Sequence, residues 1–326
     1  MYTPYVSVIV PVYNAEQTIG LCIESLIAQD YPNPCYEIII VDNNSTDKTA
    51  RIIKTYPVKY LLQDKKQSRS ATRNCGIYHA TGDIIAFLDA DCIAHSQWIR
   101  QGVKPFENKR VGACGGKILS YQPSSWIERY QDRQNIFDQR AGLSESRLLN
   151  KCAKIVTANA MYRKDALEKT GYFDESLISS EDTDLSYKVQ RKTGYELMYN
   201  PDSIVYHKHR SSLPDLLRQN YRYGYSSLFM YQRYFPQVLD EIKHYGYLKP
   251  LYWALSRTIC RCVKVCAGKA MCYLLSFKKV HITNIIDVFL HTVSSCADFY
   301  GQYRSSKDNR IPFCDLVVPD DKKGLG

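Results

Sequence analysis

The sequence contains no apolar run long enough to cross a membrane. Although 45% of its residues are hydrophobic, its longest uncharged runs are shorter than the ~20 apolar residues that a membrane-spanning helix needs. The residues Met1-Tyr2-Thr3-Pro4 lead directly into an apolar strand pattern and do not resemble a secretory signal peptide. We therefore expect a cytoplasmic protein, and peripheral attachment to the inner face of the membrane stays open as an alternative.

The 12 cysteines do not form a recognisable metal or disulfide framework. None of them has the Cys-x-x-Cys spacing that is typical of a structural zinc site. The closest group, Cys260, Cys262 and Cys266, has the spacing of small apolar positions on a helix. Because we expect no export signal, reduced thiols fit the sequence better than structural disulfides.

The charge of the chain is concentrated near its carboxyl terminus. The 326 residues suffice for one large α/β domain with an appendage, and 23% of them are charged, as in a globular protein. Net charge is +10, and residues 204–311 alone hold 16 basic and 6 acidic residues, so the remainder is neutral. Such a segment indicates an anionic partner, which could be lipid head groups, nucleic acid or a phosphorylated substrate.

Short apolar strands alternate with helical patterns over the first 110 residues. All-apolar strands of this kind are typical of a sheet covered on both faces. Their alternation with helices predicts an α/β fold of right-handed βαβ units, in which ligands bind at the carboxyl ends of the strands. Ser45 or Thr46 is the expected N-cap of the second helix. The predicted strands are Val6–Pro11, Tyr36–Val41, Val58–Leu62 and Asp83–Leu88, and the predicted helices are 16–29, Thr46–Tyr56 and Arg69–Ala80.

After residue 110 the pattern changes to less regular strands and helices. From residue 213 onward it is mostly helical. We therefore expect a domain over residues 1–210, divided near residue 110, and a helical, basic, amphipathic extension over residues 211–326. The predicted elements are strands at Val111–Leu119, Ile155–Tyr162, Glu196–Tyr199 and Ser203–Tyr206 and a helix at Glu181–Lys192.

Two carboxylates, Asp89 and Asp91, directly follow the fourth predicted strand. Strand alternation would place both side chains on one side of the chain. Two close carboxylates repel each other unless a positive charge lies between them, and Mn²⁺ or Mg²⁺ prefers carboxylate oxygens and also binds diphosphates. For this tripeptide alone, a solvated turn is the alternative interpretation.

Five motifs in a fixed order together resemble the family 2 glycosyltransferases over roughly residues 5–210. The resemblance implies a GT-A, Rossmann-like fold with a mainly parallel sheet. It also implies a metal-dependent, inverting, hexosyltransferase-like enzyme of polysaccharide or glycolipid biosynthesis, with a nucleotide-binding half at 1–110 and an acceptor-binding half at 111–210. The motifs are Val6-Ser7-Val8-Ile9-Val10-Pro11-Val12-Tyr13-Asn14, Val41-Asp42-Asn43-Asn44-Ser45-Thr46-Asp47, Ala71-Thr72-Arg73-Asn74-Cys75-Gly76-Ile77, Asp89-Ala90-Asp91, and Gly171-Tyr172-Phe173-Asp174-Glu175 with Glu181-Asp182-Thr183-Asp184-Leu185.

The resemblance implies a binding site for a nucleotide-diphosphate sugar. By position, Asp42 would contact the base, Pro11 and Tyr13 would line the same pocket, and Asn44 belongs to the same loop. A tyrosine face suits a pyrimidine ring, so a UDP-sugar is the favoured donor. Asn43 stands where many members of the family have a second Asp, which weakens the assignment of the base contact.

The remaining site residues would act on the diphosphate, the sugar and the acceptor. Arg73 would reach the nucleotide or diphosphate, because a guanidinium matches phosphate oxygens, and Asp89 would face the donor sugar or ribose. Asp91 would hold Mn²⁺ or Mg²⁺, with His207 as a second ligand. Asp182 is the predicted catalytic base, at the positive amino-terminal end of a helix. The alternatives left open are Glu181 as the base and His209 in place of His207.

The acceptor is expected to be a saccharide or a lipid-linked sugar. Residues 248–277 and 280–300 have amphipathic patterns, and Arg257, Arg261 and Lys264 form a basic stripe. In-plane binding to an anionic membrane and simple packing on the catalytic domain or a second subunit explain these patterns equally well. Tyrosines that alternate with arginines from Tyr221 to Tyr234 are weak evidence for nucleic acid, and we expect none.

Two other classes of function compete with glycosyl transfer. A sugar nucleotidyltransferase would also bind a nucleotide on a parallel sheet, but it needs a glycine-rich phosphate loop after the first strand. The sequence offers Pro11-Val12-Tyr13-Asn14 there instead. A non-catalytic protein that binds sugar nucleotides or carbohydrate would not need Asp89, Asp91 and Asp182 together.

Overall fold

The computed structural model describes residues 2–140, 154–177 and 179–234, together with 287, 290–291, 293–298, 300–301 and 304. These belong to two compact units, one formed by Met1–Pro123 with Asn135–His209 and the other by Ser124–Gln134 with Arg210–Gly326. The Cys260 group, the basic stripe and the predicted helix at 248–277 lie outside the described residues, as does most of 280–300. Within the described part of the chain, no helix has both the length and the apolar character to span a bilayer.

The first four predicted strands are confirmed to within one residue at each end, and the first and third helices are confirmed with shorter bounds. Each strand ends where apolar residues give way to polar ones, which is why its bounds could be predicted. The observed elements are β1 Val6–Val12, α1 Ile19–Ile27, β2 Tyr36–Asp42, α2 Thr49–Ile53, β3 Lys59–Leu62, α3 Arg69–Tyr78 and β4 Ile84–Leu88.

The predicted helix over Thr46–Tyr56 is wrong at its amino end, because α2 begins only at Thr49. Its expected N-cap, Ser45 or Thr46, is engaged elsewhere: Ser45 Oγ accepts a hydrogen bond from the Asn14 backbone, 2.9 Å away. The Thr46 backbone donates to the Asn14 side chain at 2.8 Å. Short polar side chains that bond across a loop compete with helix formation, so the helix starts later.

Beyond residue 88, the structure adds one short strand and two helices that apolar patterning did not reveal. They are β5 (Cys92–Ala94), α4 (Trp98–Val103) and α6 (Lys164–Thr170). The strand predicted at Ile155–Tyr162 begins later, and the two short strands predicted at Glu196–Tyr199 and Ser203–Tyr206 form one long strand. The pairing of that strand is irregular around Pro201, which has no backbone N–H to donate to a regular ladder of hydrogen bonds. The elements are β5 Cys92–Ala94, α4 Trp98–Val103, β6 Val111–Ser120, α5 Trp126–Gln134, β7 Asn159–Arg163, α6 Lys164–Thr170, α7 Glu181–Thr193, β8 Glu196–His207 and α8 Leu213–Tyr234.

The strands form one mixed sheet in the order β3-β2-β1-β4-β7-β6-β8-β5. Strands β3, β2, β1 and β4 are parallel to one another, and β7 runs antiparallel to β4 and to β6. Because β2 and β4 lie on opposite sides of β1, the chain crosses in opposite directions around β1. The crevice at the carboxyl ends of these strands is the place where such sheets bind ligands.

Helices cover both faces of the sheet, so two hydrophobic clusters form. Alternate residues of β1 point to opposite faces, as Val8 and Ile9 illustrate. On the Val8 face lie α1 and α4, and on the Ile9 face lie α3, α6 and α7. This double covering explains why all five residues of β4 are buried.

The second unit contains α5 and α8, and residues 293–298 are also helical. Tyr130, Leu216 and Leu290 form its small buried cluster. Trp126, at the start of α5, is 62% exposed.

Candidate active site

Two loops at the carboxyl ends of β1 and β2 are held together by reciprocal hydrogen bonds. The Glu16 backbone donates to Asp47 Oδ2 at 3.1 Å, and the Lys48 backbone donates to Glu16 Oε2 at 3.0 Å. Asn14 and Asn44 have left-handed backbones with φ of 47° and 61°, a conformation that asparagine tolerates better than most residues. The two loops therefore form one continuous rim beside the sheet.

The predicted base pocket lies at this rim. Asp42 is 1% exposed, and its carboxylate accepts hydrogen bonds from the Ser45 backbone at 2.9 Å and the Tyr60 hydroxyl at 3.0 Å. Burial, then the charge of Asp42, raises the pKa of Tyr60 to about 12, so this phenol stays a donor. Pro11 is half-buried, and Tyr13 and Asn44 are exposed. Their contacts with a nucleotide stay predictions.

Helix α3 lies unusually close to the sheet and carries Arg73 inward. Ser68 caps it, accepting a hydrogen bond from the Ala71 backbone at 3.0 Å. A Cβ atom on Gly76 would come within 2.5 Å of the Ile9 side chain, so only glycine allows this approach. Arg73 is consequently buried, with 2% of its surface exposed.

The Arg73 guanidinium joins two carboxylates from distant parts of the chain. Nη1 donates to Glu181 Oε1 at 2.8 Å, and Nη2 donates to Asp89 Oδ1 at 3.1 Å. Its central carbon, Cζ, lies 5.6 Å from the centre of the Phe173 ring. Both terminal nitrogens are thus engaged by protein carboxylates, and a direct bond from Arg73 to a diphosphate stays a prediction.

Arg73 lowers the pKa of both carboxylates, but the net shifts of the two groups are opposite. Burial alone would raise the pKa of Glu181, but the charges of Arg69 and Arg73 outweigh it and hold the pKa below its usual 4.5. Burial also raises the pKa of Asp89, and there the repulsion from Asp91 adds to burial, so the pKa stays above its usual 3.8 in spite of Arg73. Glu181 is therefore the ionised anchor of Arg73.

Asn74 ties α3 to the loop that precedes the predicted base. Its Nδ2 donates to the Phe173 carbonyl at 3.0 Å and to Glu175 Oε1 at 2.9 Å. The Phe173 backbone donates back to Asn74 Oδ1 at 3.1 Å. The third and fifth sequence motifs, about 100 residues apart, are thereby in direct contact.

Helix α7 begins with three acidic residues that have different surroundings. Glu181 is buried against Arg73, as described above. Asp182 is half-buried and accepts a hydrogen bond from the Thr183 backbone at 2.7 Å. Asp184 is fully buried and forms an ion pair with Lys188 at 3.1 Å. Asp182 is thus the most accessible of the three, and its role as the base stays a prediction.

Asp91 lies beside His207 at the end of the sheet. Asp89 and Asp91 belong to a turn, which is closed by a 3.0 Å hydrogen bond from the Cys92 backbone to the Asp89 carbonyl. The expected strand alternation therefore does not determine the directions of their side chains. His207 Nε2 is 3.5 Å from Asp91 Oδ1. His209, the alternative ligand, bonds instead to Ser120 Oγ at 2.7 Å. Carboxylate and imidazole are suitable ligands for Mn²⁺, and they are close enough to share one ion.

Glu181 predicts a dependence of stability on pH. Because its pKa is lower in the folded than in the unfolded chain, its stabilising effect is complete above the unfolded value of 4.5 and disappears as pH falls through the folded value. The difference in unfolding free energy between the wild type and Glu181→Gln should therefore shrink in acid. Urea unfolding from neutral pH to pH ~3 measures it, with the exposed Glu168→Gln as the control. A difference that does not change with pH would contradict the ion pair.

Comparison with known proteins identifies the family of this chain. The sequence profile described as "Glycosyl transferase family 2" matches residues 7–171, about half of the chain. The chain belongs to the family 2 glycosyltransferases. Glycosyltransferase AglE of Haloferax volcanii is 35% identical over 228 residues, which are 68% of this chain and 72% of AglE. This transferase accordingly uses a nucleotide-sugar donor.

Solved structures confirm the GT-A fold of this glycosyltransferase. The mannosyltransferase PcManGT from Pyrobaculum calidifontis, in complex with GDP-Man and Mn²⁺, aligns with a TM-score of 0.63 and 19% identity over 94% of this chain and 88% of its own. TarS of S. aureus, in complex with UDP, aligns with a TM-score of 0.51 and 18% identity over 94% of this chain and 91% of its own.

Two residues beside the predicted site have surroundings that the sequence does not reveal. The sequence indicates Glu181 only as an alternative base, whereas in the structure it is the buried partner of Arg73. The sequence predicts no role for Cys92, a thiol that directly follows Asp91. Its position beside a predicted metal ligand was the signal that could have revealed it.

Proposed function

We propose that this family 2 glycosyltransferase is a metal-dependent, inverting enzyme with Asp182 as its catalytic base. The observation that supports this most strongly is the Arg73 bridge, because it connects Asp89 on the donor side to Glu181, the neighbour of Asp182. Arg73 is a positioning residue in this proposal. That role differs from the direct diphosphate contact expected from the sequence.

The residues divide the reaction between them. Asp182 takes the proton of the acceptor hydroxyl, whose oxygen attacks C1 of the donor sugar opposite the nucleotide and inverts the configuration. Asp89 orients the sugar or ribose, and the Asp42 pocket holds the base. Asp91 and His207 would hold Mn²⁺ or Mg²⁺, which when bound supplies positive charge to the departing diphosphate.

A panel of nucleotide sugars tests this proposal. With Mn²⁺ present, we expect release of nucleoside diphosphate from one donor, fastest with a UDP-sugar, because Tyr13 suits a pyrimidine. PcManGT was solved with GDP-Man and TarS with UDP, so both nucleotides belong in the panel. Release of pyrophosphate from a sugar phosphate and a nucleoside triphosphate would instead identify a nucleotidyltransferase. Binding without release would identify a non-catalytic protein.

We further propose that residues 211–326 bind an anionic membrane and bring the site to a lipid-linked acceptor. The support is the excess of basic residues in that segment and the exposed Trp126 of the second unit.

Charge substitutions in full-length protein test the membrane proposal. The triple change Arg257→Gln, Arg261→Gln and Lys264→Gln should weaken sedimentation with anionic vesicles roughly 100-fold, since each basic residue near such a surface contributes about 1 kcal/mol. A matched control replaces three exposed lysines of the first unit, Lys48, Lys104 and Lys109. Equal sedimentation with neutral and anionic vesicles, or equal loss in both triple variants, would refute the proposal.

A further inference from the structure

Strand pairing brings a thiol to the predicted metal ligands. In the antiparallel pair of β5 and β8, Cys92 stands directly opposite His207. Directly opposed residues of such a pair share a face of the sheet, with Cβ atoms about 4.5–5.5 Å apart. Asp91 precedes Cys92, and its carbonyl accepts a hydrogen bond from the Lys208 backbone at 2.9 Å. The backbone therefore fixes three different donor groups in one place.

The side-chain distances are compatible with a shared ion. One ligand atom from each of Asp91, Cys92 and His207 lies within 4.8 Å of the other two. Asp91 Oδ1 is 3.5 Å from His207 Nε2 and 3.9 Å from Cys92 Sγ. Zinc binds sulfur at about 2.3 Å and nitrogen or oxygen at about 2.0–2.2 Å in a tetrahedron, which separates ligand atoms by about 3.5 Å. Small side-chain movements would complete three of four positions.

Burial at these three residues also favours an ion. His207 is 6% exposed, so its imidazole is largely shielded from competing water. Cys92 is fully buried, whereas the Asp91 side chain is 26% exposed. Asp91 therefore gives an ion access from solvent and leaves a position open.

We propose that Asp91, Cys92 and His207 form a binding site for a thiophilic divalent cation, Zn²⁺ above all. Zinc takes the place of the Cys92 thiol proton, which is released to solvent, while the carboxylate and the neutral imidazole supply lone pairs. Thiolate and imidazole select zinc or cobalt over Mn²⁺ and Mg²⁺, which prefer oxygen. Because Asp91 and His207 belong to both sites, zinc excludes the catalytic cation and inhibits transfer; this consequence alone rests on the proposed function.

Cobalt, a spectroscopic substitute for zinc, tests the thiolate ligand directly. Chelator-treated full-length protein titrated with Co²⁺ should develop a near-ultraviolet sulfur-to-cobalt charge-transfer band, which zinc then abolishes. The band should be lost in Cys92→Ala and in the nearly isosteric Cys92→Ser, and retained in Cys114→Ala. Cys114 is the matched control, a buried thiol on β6.

Affinity measurements separate the soft cation from the hard one. Zinc affinity, measured by competition with a chromophoric chelator, should fall at least ~10-fold in both Cys92 variants, the lower limit for loss of even an outer partner of a metal. Manganese affinity, measured by electron paramagnetic resonance, should change less than ~2-fold, because Mn²⁺ makes little use of sulfur. Thermal unfolding shows which variants fold.

Several results would overturn the inference. One is the absence of a charge-transfer band in the wild type, which requires no variant. Another is a band that persists in a folded Cys92 variant. Nucleotide release with Mn²⁺ is measured separately, so a failed zinc site and a failed glycosyltransferase proposal give different results.

Discussion

Replacement of Asp182 by asparagine is expected to lower the rate of sugar transfer by about 10²- to 10⁴-fold, the usual contribution of a general base. Asparagine has nearly the same shape, and its amide oxygen can keep the 2.7 Å hydrogen bond from the Thr183 backbone. It cannot take a proton from an acceptor hydroxyl. The free energy of unfolding should therefore stay almost unchanged while nucleotide release, measured with saturating donor and acceptor, is lost.

Asp184→Asn is the matched control for this variant, since both residues lie in the first turn of α7. Asp184 is fully buried and paired with Lys188. Breaking a buried pair leaves an uncompensated charge, so we expect a loss of about 3 kcal/mol in unfolding free energy, with unchanged transfer per folded molecule. If Asp182→Asn released nucleotide as fast as the wild type in the presence of a working acceptor, the assignment of the base would be wrong. Glu181, the alternative base, is less available for this role because its carboxylate is already paired with Arg73.

Arg73→Gln is expected to destabilise the protein by about 3 kcal/mol, because Glu181 would stay buried without the guanidinium that donates a hydrogen bond to it. Transfer should also fall, since Asp89 and the start of α7 would lose their common anchor. Urea unfolding and a donor titration measure the two effects. A positioning role predicts that Arg73→Lys restores part of the stability but little of the transfer rate, because one ammonium cannot hold both carboxylates in the same geometry.

Arg69 is the control for Arg73, one helical turn earlier on α3. Its side chain is 51% exposed, and its Nε lies 3.7 Å from Glu181 Oε1. Because Arg69 is exposed to solvent and lies beyond hydrogen-bond distance, we expect it to contribute about 1 kcal/mol or less and to be screened by salt. Arg69→Gln should therefore be mild, and milder at high salt, whereas Arg73→Gln should be severe at any salt concentration. Equal effects of the two variants would refute the buried bridge.

Apolar runs predicted the strands around the site because burial on both faces leaves a signal within five to seven residues. β4 illustrates this, since all five of its residues are buried and its predicted end at Leu88 is confirmed. Polar loops were predicted less well. Ser45 and Thr46 have local helix-capping chemistry, but they bond to Asn14, some 30 residues away. No local pattern could reveal that competition.

By itself, the sequence determined the family, the parallel half of the sheet and the placement of Asp42 at one strand end and of Asp89 and Asp91 just after another, because strand periodicity and motif order are properties of neighbouring residues. The tertiary structure alone decided which groups pair. Arg73 contacts Glu181, which lies 108 residues further along the chain, because α3 and α7 pack on the same face of the sheet. Cys92 meets His207 because the register of β5 on β8 places them opposite each other. Such contacts depend on how distant elements pack, and apolar periodicity within an element carries no information about that.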